Sequence, residues 1–242
     1  MKRPVPTSNH TMGKLFAIGL GLWLAVGIAS ADEVPGATPH CADTALDAVQ
    51  RRYEAVRDLA AEFTQTSWSV TLGAGGERAP AESSGTVVFA KPGKMRWSYA
   101  EPEESLVVSD GETLWLYDPA AREAQRLPLR DGFFSAAAIQ FLLGEGNMQR
   151  DFDVTALSCS ASEVELELLP KSPASYERLG IVADPRSGDL AQTRVVDLLG
   201  NITEIHFTDI RVNRDPAAAV FTFEAPANVD VIDLGVPRGP ER

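Results

Sequence analysis

The chain is 242 residues long, with 44% hydrophobic and 23% charged residues, and its formal net charge is −12 at neutral pH. A negative charge of this size makes nucleic acid and anionic membrane surfaces poor partners, because both repel it. The length suits a single domain with a sizeable hydrophobic core.

An export signal is indicated at the N-terminus. Three basic residues and an apolar run over residues 15–29 are followed by Ala29-Ser30-Ala31. The run is shorter than the roughly 20 residues that a membrane-spanning helix needs, and the small-x-small sequence is typical of a signal-peptide cleavage site. We predict a signal peptide over residues 1–31, with an uncleaved membrane anchor as the alternative.

The mature chain would begin at Asp32. Cleavage removes three basic residues and no acidic ones, so the formal charge of the mature chain would be −15. A lipid-attached form would need a cysteine directly after the cleavage site, whereas Cys41 follows Pro39-His40. We therefore expect a soluble exported protein without a lipid anchor.

Cys41 and Cys159 are the two cysteines of the chain. In an oxidising exported compartment, such an even pair favours a structural disulfide. The alternatives are two unpaired thiols or a metal site. A zinc site needs about four ligands, and the mature chain offers only His40 and His206 in addition to the cysteines. The sequence therefore predicts a disulfide and no metal site.

A helix is predicted near the start of the mature chain. Residues 32–40 are expected to form a flexible leader, followed by one domain over residues 41–242. Apolar residues then recur at spacings of three and four with charges between them, which indicates an amphipathic helix. These residues are Leu46, Val49, Tyr53 and Val56.

From about Ala60 onward, short apolar runs separated by turn residues predict about eleven strands. Candidate hairpin turns are Asp110-Gly111, Gly200-Asn201 and residues 184–189. Residues 133–146 interrupt the series, because Phe134, Ala138, Phe141 and Leu142 follow helical spacing. Consecutive hairpins favour an antiparallel sheet, and separate helices favour an α+β arrangement with the helices on one face.

The hairpin over residues 94–119 carries apolar residues on both faces. Met95, Trp97 and Tyr99 alternate with polar neighbours, but the runs Leu106-Val107-Val108 and Leu114-Trp115-Leu116-Tyr117 do not. A strand with one solvated face would alternate throughout. Two interpretations stay open: a central hairpin buried on both sides, or a curved sheet whose concave face lines an apolar cavity closed by helices.

Enzyme motifs are absent from the sequence. It contains no G-x-S-x-G, H-E-x-x-H, Walker A or G-x-G-x-x-G string. His206 fits a solvated strand face. The acidic runs at 101–104 and 163–167 fit a loop and the exposed side of an alternating strand. We therefore expect no enzymatic activity and no cofactor.

The chain resembles the periplasmic outer-membrane lipoprotein carrier family, LolA, over essentially the whole mature sequence. The stretch from Pro92 through "SDGETLWLYDP" is the part of the resemblance that is most specific to this family. The matching segments are "FTQ" (63–65), "GTVVFAKPGKMRW" (85–97), "EPEESLVVSDGETLWLYDP" (101–119), "FLLGEG" (141–146), "LELLPKS" (166–172) and "FTFEAPANVDVI" (221–232).

This resemblance implies an unclosed antiparallel β-barrel of about eleven strands covered by a helical lid. It implies a periplasmic chaperone that holds the acyl chains of lipoproteins in an apolar cavity. Such a chaperone receives its cargo from an inner-membrane ATP-driven ABC transporter and passes it to an outer-membrane receptor. A monomer is expected.

The resemblance also implies roles for individual residues. Family members usually carry an arginine before the proline of "RP", which bonds lid carbonyls and latches the closed state; here that residue is Lys91, which lacks the planar fork of arginine. Met95 stands where the family usually has an aromatic residue. The other predicted cavity-lining residues are Trp97, Leu106, Val108, Leu114 and Leu116, with Phe134, Phe141 and Leu142 on the inner side of the lid.

Two other functions are considered. One is a lipid- or lipoprotein-sensing regulatory protein of the cell envelope with the same fold, although such proteins usually carry a second domain. The other is a lipid hydrolase, which the missing nucleophile motif disfavours. Plain core packing is the alternative for every predicted lining residue.

Overall fold

The structure is a computed structural model that describes residues 39–70, 80–129 and 147–235. All of the described residues belong to one compact unit, Pro35–Arg242. The predicted signal peptide and the predicted helix at 133–146 lie outside the described residues.

The described residues form mainly β-strands. The helices are α1 (Pro39–Ala55), α2 (Met148–Asp151) and a 3-10 helix (Ala218–Phe221). The strands are β1 (Asp58–Trp68), β2 (Ala81–Ala90), β3 (Lys94–Glu101), β4 (Ser105–Asp110), β5 (Thr113–Asp118), β6 (Glu123–Pro128), β7 (Phe152–Cys159), β8 (Val164–Pro170), β9 (Tyr176–Ala183), β10 (Leu190–Asp197), β11 (Ile202–Val212) and β12 (Asp230–Asp233).

All twelve strands belong to one sheet, in the order β12-β6-β5-β4-β3-β2-β1-β11-β10-β9-β8-β7. Neighbouring strands are antiparallel except for β12, which pairs with β6 in parallel. The predicted fold class is confirmed: an α+β protein built on an unclosed, mainly antiparallel sheet. The twelve strands of the described residues agree with the expected number of about eleven, and the last, β12, is a four-residue strand after a long irregular segment.

Helix α1 packs on this sheet through the apolar positions that the sequence predicts. Leu46, Val49, Tyr53 and the following Val56 are all buried in the main hydrophobic core. The helix begins at Pro39, so the last two residues of the predicted flexible leader are helical. A proline fits the first turn of a helix, where its missing N–H leaves no hydrogen bond unmade.

The sheet curves beneath α1. The N-terminal part of the helix is joined to β7 through Cys41, and its C-terminal part reaches the end of β2 through Lys91. These strands are six positions apart in the sheet, about 29 Å if the sheet were flat. The helix rises only about 18 Å between residues 41 and 53. The disulfide and the Lys91 side chain extend the reach of the helix over the rest of this distance. Met95 of β3 and Leu166 of β8 share one buried cluster with α1, as expected for a sheet that curves around the helix.

Polar contacts fix α1 to the β9–β10 turn. Arg52 Nε donates to Asp189 Oδ1 at 2.6 Å, and the Tyr53 hydroxyl accepts a hydrogen bond from Leu190 N at 3.3 Å. Gly188, at φ 73°, lies so close that a Cβ there would stand 2.4 Å from the Ala48 carbonyl oxygen. The turn therefore needs glycine both for its left-handed backbone and for its contact with α1.

The burial of Tyr53, which lies in the last turn of α1, gives a testable pH dependence of stability. Desolvation raises the pKa of Tyr53 to about 12, against a lowering contribution from its hydrogen bond with Leu190. Between pH 10 and pH 12 the folded state therefore keeps a proton that the unfolded state loses. The contribution of Tyr53 to the free energy of unfolding is complete at pH 10 and below, and it is lost as the pH rises toward 12. At pH 11 the loss from this group is about 1.4 kcal/mol.

Urea unfolding at pH 8 and pH 11 measures this effect. Tyr53→Phe is expected to cost about 1 kcal/mol at pH 8, through the lost hydrogen bond, and to be less sensitive to alkali than the wild type. An equal loss of stability between pH 8 and pH 11 in both proteins would show that the Tyr53 hydroxyl does not carry the dependence.

The three predicted hairpin turns are present. Asp110 Oδ1 accepts from the backbone N–H groups of Glu112 and Thr113, and Gly111 has φ 100° between β4 and β5. Gly200, with φ 87°, joins β10 to β11, and Gly188 closes the β9–β10 turn. Glycine at these positions relieves the steric cost of positive φ.

Within residues 39–70, 80–129 and 147–235, we find no helix with the length and hydrophobicity needed to span a lipid bilayer.

Candidate functional site

The cross-strand register separates the two faces of the β3–β4–β5 hairpin unit. Trp97 lies opposite Val107, and Val107 lies opposite Leu116. Met95 lies opposite Ser109, which lies opposite Leu114. Directly opposed residues in an antiparallel pair point to the same side. We call this side the inner face, since its buried residues belong to the core cluster that includes α1.

Four of the six predicted lining residues in the described part lie on this inner face: Met95, Trp97, Leu114 and Leu116. Met95, Trp97 and Leu114 are almost fully buried, at 2%, 4% and 5% exposure, whereas Leu116 is 37% exposed. The inner face is therefore covered near β3 and becomes accessible toward β5.

Leu106 and Val108 lie apart from the other four predicted lining residues. Leu106 pairs with Ser98 and Tyr117, and Val108 with Arg96 and Trp115, so both residues lie on the outer face. The strand period of two excludes residues 106 and 108 from the face that holds Val107. The apolar side chains alone did not show which of the two faces each residue occupies.

The C-terminal segment covers the outer face. The Phe223 ring lies 5.3 Å from the Trp115 ring and 5.1 Å from the Tyr117 ring, measured between centroids. Arg96 Nη1 donates to the carbonyl oxygen of Val220 at 3.2 Å, and Phe221 is buried. Both faces of the hairpin therefore have apolar neighbours, which explains why its strands do not alternate.

A cluster of aromatic rings forms the centre of the inner face. Trp97 is its middle member. Its ring centroid lies 4.8 Å from Phe63, 5.7 Å from Phe89, 6.3 Å from Tyr99 and 6.5 Å from Phe207. Phe63, Phe89 and Phe207 were not identified from the sequence. A sequence signal was available for Phe63, which lies between the polar residues Glu62 and Thr64.

The indole N–H of Trp97 is buried, and it has no hydrogen-bond partner among the residues that the structure describes. Leaving a buried N–H unpaired costs about 1–3 kcal/mol, so native proteins usually pair such groups. In the described part of the chain, Trp97 is therefore an exception to this pairing of buried polar groups.

Polar groups begin on the inner face next to the aromatic cluster. The Tyr99 hydroxyl donates to Gln65 Oε1 at 3.0 Å, and Gln65 Nε2 donates to Ser67 Oγ at 3.2 Å. Burial raises the pKa of Tyr99 to about 12, so its hydroxyl stays protonated at neutral pH. The inner face of β1 thus changes from Leu59, Ala61 and Phe63 to Gln65 and Ser67 along the strand.

Lys91 lies at the C-terminal end of α1. Its Nζ donates to the carbonyl oxygen of Tyr53, and its backbone N–H donates to the carbonyl oxygen of Arg57 at 2.9 Å. Burial lowers the pKa of the Lys91 ammonium from its ordinary value, and the carboxylate of Glu54 opposes this shift. An ammonium at this position pairs a helix carbonyl and complements the negative end of the helix dipole.

The lid residues expected at Phe134, Phe141 and Leu142 lie outside the described residues. Lys91 was expected to bond carbonyl groups of the lid, and in the structure it bonds a carbonyl of α1. The disulfide between Cys41 and Cys159 is confirmed, with 6.6 Å between the two Cα atoms.

Other chemistry is limited in the described part of the chain. His206 is exposed beside Glu204 Oε1 at 3.1 Å, which confirms its place on a solvated strand face. No group of three or more His, Cys, Asp or Glu side chains in these ranges could hold a metal ion. A groove of about 390 Å³ lies beside Arg52, Asp189 and Phe207, and none of the predicted lining residues belongs to its wall.

A single unclosed sheet with an apolar inner face and a helix packed against it belongs to the class of folds that can present an apolar surface to a ligand. Similarity to known proteins gives the family. The family description "Outer membrane lipoprotein carrier protein LolA" matches residues 54–224. The chain belongs to this family.

Individual relatives agree with this assignment. The "Outer-membrane lipoprotein carrier protein" of Cupriavidus necator is 33% identical over 81% of this chain and 90% of its own length. The protein of the same name from Bordetella avium is 31% identical over 80% of this chain and 89% of its own length. A crystal structure of a LolA superfamily protein from Nitrosomonas europaea covers 75% of this chain and 97% of its own, with a TM-score of 0.42 at 13% identity.

Proposed function

We propose that this protein is a periplasmic chaperone that holds the acyl chains of lipoproteins against the inner face of its sheet. The proposal is supported by the apolar inner face of β3 and β5 and by membership of the LolA family. The proposed lining residues are Met95, Trp97, Leu114 and Leu116, with Phe134, Phe141 and Leu142 on the lid. No catalytic step is part of this proposal.

The energetics of acyl chains explain why such a carrier needs other proteins. Each buried methylene contributes about 0.8 kcal/mol, so three chains of about fourteen methylenes resist leaving a bilayer by about 30 kcal/mol. The sequence holds no nucleotide-binding motif. We therefore propose loading by an inner-membrane ABC transporter and delivery to an outer-membrane receptor that binds the cargo more tightly.

The regulatory alternative is not favoured, because the curated relatives share the carrier name over about 80% of this chain. A monomer is proposed for the working form, since a carrier between two membrane partners must expose its cargo site to each in turn.

Co-purification tests the proposed function. The full chain, expressed for export with an affinity tag, is expected to carry near-stoichiometric acylated lipoprotein, identified by mass spectrometry of the bound fraction. The same protein is expected to keep a purified lipoprotein soluble without detergent. A protein that carries no acylated species and fails to keep a lipoprotein soluble would contradict the proposal.

We propose that Lys91 holds α1, the helix that covers part of the inner face, in its closed position. Its Nζ contacts the last full turn of α1, and α1 packs into the same core cluster as Met95 and Trp97. An ammonium bound to one carbonyl holds the helix less firmly than a planar guanidinium would, because a guanidinium can donate to two acceptors at once. This arrangement favours a cover that can open when lipid enters.

Replacing Lys91 with leucine is expected to change the rate of cargo transfer severalfold while lowering the free energy of unfolding by only about 1 kcal/mol. The rate is measured as lipoprotein passed to receptor-loaded vesicles over time, and the stability by urea unfolding. Lys91→Arg is the matched comparison: it keeps a donor and can bond two acceptors, so α1 should move off the inner face no more readily than in the wild type, unlike in Lys91→Leu. An unchanged transfer rate in Lys91→Leu would remove Lys91 from the mechanism.

A further inference from the structure

We infer that the indole N–H of Trp97 binds an ester carbonyl oxygen at the head of a cargo acyl chain. This inference rests on the proposed function and adds to it a polar recognition point within an otherwise apolar surface. It also sets the direction in which the lipid lies along the sheet.

The immediate surroundings of Trp97 explain why its N–H needs an external acceptor. The indole is only 4% exposed, and its Nε1 has no partner in the described ranges. Phe63, Phe89 and Phe207 pack around the ring and contain no side-chain acceptor. The remaining ring neighbour, Tyr99, directs its hydroxyl to Gln65 Oε1.

The chemistry of the missing partner follows from the donor. An indole nitrogen donates one hydrogen bond and accepts none, so it selects an acceptor. This nitrogen has almost no accessible surface, so an acceptor reaches it only when α1 moves off the inner face, as proposed above for Lys91. An alkyl chain offers no acceptor, and a carboxylate or phosphate would bring a charge into apolar surroundings at high cost. The neutral carbonyl that joins an acyl chain to its head group satisfies the N–H without that cost.

The polarity of the neighbouring strands gives the orientation. Tyr99, Gln65 and Ser67 form a hydrogen-bonded series at one end of the aromatic cluster. Leu59, Phe89 and Met95 are buried at the other end, next to the C-terminal end of α1. With its carbonyl at Trp97, the lipid directs its head group toward Tyr99 and Gln65, and its chains toward α1.

A matched pair of ligands tests the hydrogen bond. One is a short peptide whose N-terminal cysteine carries a glyceryl group with two ester-linked palmitoyl chains; the other is its dialkyl ether analogue, which lacks those carbonyl oxygens. The wild-type full chain is expected to bind the ester about tenfold more tightly, equivalent to about 1.4 kcal/mol. Trp97→Phe keeps an aromatic ring but lacks the donor, so it should bind both ligands equally.

Trp115→Phe is the matched control, because Trp115 lies on the outer face against Phe223. It should keep the tenfold preference for the ester. If wild type binds ester and ether with equal affinity, the inferred hydrogen bond is wrong while the proposed carrier function stands. If the wild type binds neither ligand, the proposed function fails and the inference fails with it.

NMR spectroscopy gives a second readout that does not require a stable Trp97 variant. The indole ¹H–¹⁵N signal of Trp97 in the ¹⁵N-labelled wild type is expected to move downfield by about 0.5 ppm or more with the ester ligand, as a new hydrogen bond forms. The ether ligand should leave it near its starting proton shift. Equal downfield movement with both ligands would overturn the inference.

Discussion

Replacing both Cys41 and Cys159 with alanine is expected to lower the free energy of unfolding by about 4 kcal/mol. The disulfide closes a loop with a sequence separation of 118 residues. In the chain-entropy model a loop of about this length contributes about 4–5 kcal/mol, by restricting the unfolded chain. For a chain of this size, the melting temperature should fall by about 8–16 °C.

The disulfide joins the first turns of α1 to β7, at one edge of the sheet. Its loss therefore removes the covalent attachment of this helix, whereas the burial of Ala45 and Leu46 and the hydrogen bond of Asp47 with Gln149 remain. The C-terminal attachments through Lys91, Arg52 and Tyr53 remain, so the helix should still pack at that end.

Calorimetry with and without reductant measures this prediction. The double alanine variant should melt at the same temperature in both conditions. The reduced wild type should melt near the variant, and the oxidised wild type well above it. A variant that melts within about 2 °C of the oxidised wild type would show that the bridge does not restrict the unfolded chain as expected.

The overall architecture could be predicted because its signals are local. The spacing of Leu46, Val49 and Tyr53 gives the helix, and Gly111 and Gly200 lie in two of the hairpin turns. Each of these signals depends on residues within a few positions of one another. The parallel pairing of β12 with β6 was not predicted, because it is made across more than one hundred residues.

The sequence also indicated which residues of β4 and β5 share one face of their hairpin. A hairpin with an even number of loop residues places Val107 on the same side as Leu114 and Leu116, whatever its exact register. Leu106 then shares a side with Trp115 and Tyr117, as observed. Including Leu106 and Val108 with Leu114 was therefore inconsistent with the hairpin that the sequence itself predicts.

The cover of the outer face could not be predicted in the same way. Phe223 contacts Trp115 and Tyr117 from more than one hundred residues further along the chain. No periodicity within either segment reports this contact. Apolar residues on both sides of the hairpin therefore indicate two covers, the core cluster on the inner face and the C-terminal segment on the outer face.

This separation of faces leads to the largest expected effect on function. Leu116 lies on the inner face and is 37% exposed, so Leu116→Glu is expected to fold with a loss of less than about 1 kcal/mol. A carboxylate there would face the proposed cargo. Placing a charge among acyl chains costs about 2.5–3.5 kcal/mol, so the affinity for an acylated lipoprotein should fall about 100-fold.

Leu198→Glu is the matched control, because Leu198 is an exposed leucine after the end of β10 and has no predicted role in lining. Both variants add one negative charge to an already acidic chain, so a general electrostatic effect would appear in both. Lipoprotein binding in detergent-free buffer, together with urea unfolding, separates the outcomes. A binding loss confined to Leu116→Glu places the cargo against the inner face of β5; equal binding by the two variants would locate it elsewhere.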